Sequence, residues 1–385
     1  MFNILTLNKI AACGLKNFGD NYTVSDACEN PDGIILRSFK MHDMELPASL
    51  KAVARAGAGV NNIPIDKCTD AGIVVFNTPG ANANAVKELA IAALLLASRK
   101  IVDGINWAAT LTGDDVAKQV EAGKSQFVGP EIYGKTLGII GLGAIGAQLA
   151  NTAVDLGMTV LGHDPYITVD AAWRLSTAVK KAASRDDIYA DADYISIHVP
   201  STPETKGMIN KETIAKMKDG VRIINLARAD LVNAADIKEA LESGKVAAYI
   251  TDFPIPETVG LKNTVNIPHL GASTEESEDN CAIMAAQSLV EYITTGNIHN
   301  SVNYPAVSIP HTGISRICLC HRNVSGMLSK ITAILSAEGI NIENLSNSAK
   351  GDFAYTIIES GVKVSDAAVS VLNAIPDMIR VRVID

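Results

Sequence analysis

Short apolar runs separated by polar, helix-compatible spacers fill the first eighty residues: "NILTLN", "GIILRS", "LKAVARAGAGV" and "GIVVFNTPG". Runs of this length bounded by glycine or polar turns read as strands, and strands alternating with helical spacers make a parallel α/β sheet. From about 83 to 109 the pattern changes to helix formers, "NAVKELAIAALLLASRKIVDGINWAA", a stretch too long for an ordinary connection and expected to bridge two lobes. A second α/β series begins at Lys135 with six expected strands, "TLGIIGLG", "TVLGHDP", "DADYISIHVP", "VRIINLAR", "AAYITDFP" and "TVNIPHLG", enough for a doubly wound sheet. A helical stretch from Glu275 to Thr295 carries the chain back toward the first lobe, and the turn-rich "GNIHNSVNYPAVSIPHTG" follows as a linker.

The last segment repeats one pattern in full: strand "ISRICLCH", helix "VSGMLSKITAILSAEG", strands "INIENLSNSA" and "DFAYTIIES", helix "SDAAVSVLNAIP", strand "IRVRVI". That order is βαββαβ, a ferredoxin-like unit. The fold expected is therefore α/β, with two Rossmann-like lobes of doubly wound parallel sheet and a small C-terminal domain. The expected boundaries are 1–90 plus 275–305 for the first lobe, 91–274 for the second and 314–385 for the third.

Composition narrows the function classes. At 385 residues, 48% hydrophobic and 19% charged, the chain can bury more than one core. Its formal charge of −9, with no long Lys/Arg run, argues against nucleic acid or an acidic membrane as partner. The longest apolar stretch, around 90–97, is far short of the ~20 residues a membrane span needs. Six scattered cysteines without CxxC spacing or a signal peptide fit a reducing cytoplasm, and Cys318 and Cys320 alternate with Ile317 and Leu319 as one face of a strand, not as a metal pair. No metal site is expected.

The clearest chemistry lies in "LGIIGLGAIGAQLANTAVDLGMTVLGHDP". Gly141, Gly143 and Gly146 follow one strand and open a helix, and Asp164 ends the next strand eighteen residues later. Glycines there let backbone N–H groups and the helix N-terminus approach a pyrophosphate, with Ala144 and Ile145 in the first turn, and Asp164 can accept from both adenosine ribose hydroxyls. A carboxylate in that place repels a 2′-phosphate, so NAD is favoured over NADP.

With "HVPSTPET", "INLAR" and "IPHLGAST" following, the chain over 1 to about 305 resembles the D-isomer-specific 2-hydroxyacid dehydrogenases, and its C-terminal segment resembles an ACT domain. The resemblance implies an NAD-dependent oxidation of 3-phospho-D-glycerate to 3-phosphooxypyruvate, the first step of phosphorylated L-serine biosynthesis, in a cleft between two lobes. Another D-2-hydroxyacid such as 2-hydroxyglutarate or glycerate, or a dinucleotide-sensing binding protein of the corepressor kind, are the alternatives. It places the catalytic arginine at Arg228, whose fork can hold a substrate carboxylate. The general acid/base falls at His269, a residue type that titrates near working pH. The cofactor positions also include His198, Pro200, Thr205 and Ala227.

The family's third catalytic group is a glutamate in Asp-Val-Phe-x-x-Glu-Pro. Here "TDFPIPE" puts Pro256 in that place and leaves Glu257 one position late as the candidate. The same shift leaves Thr251 or Asp252 to meet the nicotinamide carboxamide, with Asp252 preferred. In the first lobe the resemblance points to Ala58, Gly59 and Val60 in "RAGAGVNNI" and to Asn82 for substrate, and Arg37, Ser38 and Lys40 in "LRSFK" sit at a predicted strand end where a phosphate could bind. Family members that bind an amino acid in the ACT domain use residues matching His321, Asn323 and Asn341, which implies L-serine as effector and a homo-oligomer, dimer or tetramer. The usual proline of that loop is Ser325 here.

Overall fold

The computed structural model describes residues 1–385, apart from the Asp170 side chain, and divides into two compact units, Met1–Asn82 with Glu278–Asp385, and Ala83–Ser277. The divisions fall eight residues before and three residues after those expected.

In the first unit, strands Phe2–Leu7 (β1), Tyr22–Ser25 (β2), Gly33–Leu36 (β3), Ala52–Arg55 (β4) and Val74–Phe76 (β5) form an all-parallel sheet in the order 2-1-3-4-5. The central strands are apolar on both faces because both are covered, which is why "GIIL" and "VVF" read as continuous runs. β2, "YTVS", is a short half-polar edge strand that the pattern does not reveal. Most of the helix Glu275–Thr295 packs here through Ala282, Ala285, Ala286, Leu289 and Ile293. It comes so close that a side-chain carbon on Gly14 would sit 2.5 Å from the Ala282 methyl.

The second unit holds seven parallel strands: Thr136–Ile140 (β6), Thr159–His163 (β7), Lys180–Lys181 (β8), Tyr194–Ile197 (β9), Val221–Asn225 (β10), Val246–Thr251 (β11) and Thr264–Asn266 (β12), in the order β12-β11-β10-β9-β6-β7-β8. This is the doubly wound order, with β6 and β9 flanking the point where winding reverses. Six of the seven were expected, and β8 is a two-residue exposed edge. The long helical stretch is two helices, Ala83–Arg99 and Ile101–Ala108, broken at Lys100 in a left-handed conformation. Its first helix belongs to the second unit, where Val86, Ala90, Ala93, Leu94 and Ala97 bury into the core formed with Leu137, Ile139 and Leu149.

The C-terminal segment is βαββαβ as the pattern predicts. Strands Ser315–Arg322 (β13), Ile342–Lys350 (β14), Phe353–Ser360 (β15) and Met378–Ile384 (β16) pair antiparallel in the order β14-β15-β13-β16. Ile317, Leu319 and Ile358 face the helices Met327–Ala337 and Asp366–Asn373. The opposite face attaches this domain by more than its linker: Cys318, Cys320, Tyr355 and Ile357 share one core with Phe76, Leu289, Tyr292 and Tyr304. Tyr355 Oη donates to Gly296 O at 2.7 Å, Arg322 pairs with Asp70 at 2.7 Å, and Lys350 Nζ donates to Val302 O at 2.8 Å. Cys318 and Cys320 are accordingly core residues. No helix of the described residues is long and apolar enough to cross a membrane.

Candidate active site

Each glycine of the dinucleotide motif has its own steric reason. Gly141 takes φ +94°, and a side-chain carbon there would lie 2.5 Å from His198 O. At Gly146 the same carbon would lie 2.0 Å from Gly141 O, so the helix can approach the strand only without it. Gly143 differs, since nothing lies within 4 Å of that position and the residue caps the helix Ala144–Asp155. A helix N-terminus facing clear space offers unsatisfied N–H groups to an anion, with Ala144 and Ile145 as the first two helical residues.

Asp164 follows β7, and its carboxylate accepts Leu142 N–H and Tyr166 N–H, both at 2.9 Å, locking the strand end to the glycine turn. It is half-buried, so its remaining lone pairs stay accessible for ribose hydroxyls. The glycine cradle and this acceptor fit a dinucleotide. His198 is pushed down to about 4 by burial and bonds Ser196 Oγ at 2.8 Å, so it forms an uncharged wall beside Gly141. In the loop after it, Thr205 Oγ1 donates to Pro200 O at 2.6 Å and accepts Thr202 N–H at 2.8 Å, which holds 200–205 as a closed turn.

Arg228 stands just past β10 on a loop set by buried Asn225, whose amide donates to Arg228 O at 2.8 Å and whose oxygen accepts Ala227 N–H at 3.2 Å. The guanidinium is exposed, 5.9 Å from the centre of the Phe253 ring. The His269 ring lies 4.7 Å from that same ring. The two expected catalytic side chains thus share one aromatic seat. Neither nitrogen of the exposed His269 ring bonds another described residue, so the imidazole is open to a ligand.

Glu257 is not brought to His269. It is exposed, beside Lys206, Asp230 and Asn233 at a surface pocket. Asp252, 1% exposed, is a carboxylate whose charged form both His269 and Arg228 favour, although burial raises it above its ordinary value. Thr251 is fully buried, its hydroxyl accepting Phe253 N–H at 3.0 Å, and the neighbouring Asp252 is buried as well.

In the first unit, Arg37 pairs with Glu278 at 2.7 Å with both side chains half-exposed, and Ser38 N–H donates to Asn8 Oδ1 at 3.1 Å. Lys40 is exposed, and Asn82 is half-exposed. The turn at Ala58, Gly59 and Val60 is fastened by Asn77, whose amide donates to Ala58 O at 2.7 Å, and by Thr78 Oγ1, which accepts Gly57 N–H at 2.8 Å. The sequence reading missed Arg55. Its Nε donates to Arg37 O at 3.0 Å and its guanidinium covers Gly57, which adds a cation beside that turn. The "RAG" step into the glycine turn was the available signal.

Of the three expected effector residues, His321 is buried with both ring nitrogens engaged, by Arg322 O at 2.8 Å and Thr356 Oγ1 at 2.9 Å. Asn323 donates to Gly351 O at 3.2 Å, and Asn341 is exposed.

Comparison with known proteins agrees with this geometry. Residues 91–271 match the D-isomer specific 2-hydroxyacid dehydrogenase, NAD binding domain family. A D-3-phosphoglycerate dehydrogenase of Mycobacterium leprae is 34% identical, covering 94% of this chain and 72% of that protein. Those of Archaeoglobus fulgidus and Bacillus subtilis are 37% and 35% identical, but the chain spans only 52% and 60% of their length. Among solved structures, NAD+-bound 3-phosphoglycerate dehydrogenase from Entamoeba histolytica superimposes with a TM-score of 0.61 at 28% identity, over 78% of this chain and 98% of that one. Fold, glycine cradle and overall identity agree: the chain belongs to the D-isomer specific 2-hydroxyacid dehydrogenases.

Proposed function

We propose that this chain is an NAD-dependent dehydrogenase that oxidises C2 of 3-phospho-D-glycerate to 3-phosphooxypyruvate, the entry to phosphorylated L-serine synthesis. The observation that carries the reading is the shared seat on Phe253, against whose ring the exposed Arg228 and His269 both lie. Arg228 would hold the substrate carboxylate through two parallel N–H donors and polarise the adjacent carbon–oxygen bond. An unprotonated ring nitrogen of His269 accepts the hydroxyl proton and returns it in the reverse direction. NAD, when bound, accepts the hydride that leaves C2. The Gly143 cradle and Asp164 would hold its pyrophosphate and ribose, Asp252 its carboxamide, and His198, Pro200, Thr205 and Ala227 would line its site. Arg37, Ser38 and Lys40, with the Ala58–Gly59–Val60 turn and Asn82, would take the phosphate and carboxylate of the substrate.

The C-terminal domain is read as an ACT regulatory domain in a homo-oligomer of the cytoplasm, responding to L-serine. Binding at His321 requires the imidazole to exchange its bond to Thr356 for the ligand, with Asn323 and Asn341 beside it.

The test is NADH formation across a panel of phosphorylated and plain 2-hydroxyacids. The expected outcome is highest kcat/KM with 3-phosphoglycerate, a raised KM together with a lowered kcat in Arg228→Ala, and a kcat lower by ~10²–10⁴-fold in His269→Ala. Preference for an unphosphorylated acid would replace the substrate, and NAD binding without turnover on any acid would favour a dinucleotide sensor.

A further inference from the structure

We propose that Asp252 is the positioning carboxylate for His269, in place of the glutamate that this sequence displaces to Glu257; the proposal rests on the dehydrogenase reading above. Asp252 directly follows β11 and is 1% exposed. Its backbone oxygen accepts His269 N–H at 2.9 Å, and its Oδ2 accepts Gly271 N–H at 3.0 Å. One residue therefore grips both ends of the turn that carries the imidazole.

That turn needs a grip. His269 has φ +39°, in the left-handed region that side-chain-bearing residues rarely occupy, and it persists only where neighbours enforce it. Phe253, the next residue along, supplies the ring against which both His269 and Arg228 rest. The pair 252–253 thus sets the backbone, the ring plane and the electrostatic surroundings of the histidine from one strand end.

Oδ1 of Asp252 is buried with no hydrogen-bond partner, so half of the carboxylate is not used in holding the turn. Burial works against its charged form, while the Gly271 N–H, His269 and Arg228 favour it. Tyr249, itself raised by burial, also feels the Asp252 charge. An anion beside an imidazole stabilises the imidazolium, and that is the service a proton acceptor needs when it takes the substrate's hydroxyl proton. Glu257, exposed and without a bond to His269, is not placed to give it.

The experiment follows the ring signals of His269 by NMR in the full chain, assigned with His269→Gln, through a pH titration of wild type, Asp252→Asn and Glu257→Gln, together with NAD affinity and kcat against pH. Asp252→Asn keeps the shape and can still accept the Gly271 N–H. Its His269 midpoint should move to lower pH, and the acidic limb of kcat should move with it, while Glu257→Gln matches wild type. In wild type and in Glu257→Gln the His269 signals should also show a second, acidic inflection as Asp252 takes a proton, which tests the idea even if Asp252→Asn does not fold.

An unmoved His269 midpoint in folded Asp252→Asn, absence of the second inflection, or the same effects arising from Glu257→Gln would overturn the proposal. So would an Asp252→Asn protein changed only in NAD affinity, since Asp252 would then be a cofactor contact alone. Moved His269 signals in a chain that turns over no 2-hydroxyacid would leave the positioning role standing and remove the dehydrogenase reading.

Discussion

Arg316 and Glu359 form an ion pair with both side chains fully buried, and they complete it with backbone from the linker. Arg316 donates to Thr295 O at 2.6 Å and Ile309 O at 2.8 Å, while Glu359 Oε2 accepts Gly313 N–H at 2.8 Å and meets His311 at 3.1 Å. Buried charges are tolerated only when nearly every donor and acceptor is met, and here the groups that meet them come from the chain leading into the C-terminal domain. The pair fastens that domain to the first lobe.

Removing one partner strands the other charge in the core, so Glu359→Gln or Arg316→Leu should cost about 3–5 kcal/mol in urea unfolding. Burial opposes the charge on Glu359, but Gly313, His311 and Arg316 outweigh it and hold the carboxyl below its ordinary 4.5. A depressed acid contributes stability that is complete above its unfolded value and is lost as pH falls through the folded one. The stability gap between wild type and Glu359→Gln should therefore be constant near neutrality and shrink as pH falls below 4.5. A gap that widens in acid contradicts the assignment.

A chain ending near Pro310 should not behave as an unregulated enzyme. It would uncover Phe76, Leu289, Tyr292 and Tyr304, which now share a core with Cys318, Cys320, Tyr355 and Ile357. The expected result is a lower melting temperature and aggregation, read by calorimetry and light scattering. Full stability of the truncated chain would show that the docked face adds nothing.

The glycines of the cradle should separate by role. Gly146→Ala forces a carbon to 2.0 Å from Gly141 O and should destabilise the fold. Gly143→Ala meets no protein atom within 4 Å, so its melting temperature should stay near wild type while NAD affinity falls at least tenfold. Equal effects of the two substitutions on both readouts would argue against a pyrophosphate at Gly143.

Asp164→Ala should lower the ratio of kcat/KM for NAD over NADP by ~10–100-fold, the worth of one or two hydrogen bonds to a charged group. Because the side chain also holds Leu142 N–H, activity with both cofactors should drop somewhat, and the ratio is the informative quantity. An unmutated enzyme that uses both cofactors alike would end this argument.

The six cysteines should label in two classes. Cys13 and Cys28 are half-exposed, whereas Cys68, Cys281, Cys318 and Cys320 are buried, with Cys68 and Cys320 each pushed up to about 12 by burial. Native protein should take up two equivalents of a thiol reagent quickly and the other four only on unfolding. Rapid reaction of Cys318 or Cys320 would mean that the C-terminal sheet lifts from the lobe.

What could be read from the residues alone was whatever a short stretch of backbone dictates. Continuous apolar runs mark strands covered on both faces, and Gly141 with φ +94° followed by the helix at Ala144 marks an anion cradle, since the strand, turn and helix that make it are consecutive. The alternation in "ISRICLCH" likewise told which residues share a face, and its βαββαβ order follows from local pattern. What escaped depends on partners far along the chain. The pattern could not say what covers the Cys318 face, because the covering residues Phe76 and Tyr304 lie on other elements. It could not show the break at Lys100, a residue whose left-handed backbone carries no composition signal. It attached the histidine's carboxylate to a motif position, Glu257, although burial and the grip on the turn at His269 belong to Asp252, seventeen residues earlier and at the end of a neighbouring strand. Side-chain type and spacing survive in a sequence, but which carboxylate is dehydrated beside which imidazole is settled only when strands lie side by side.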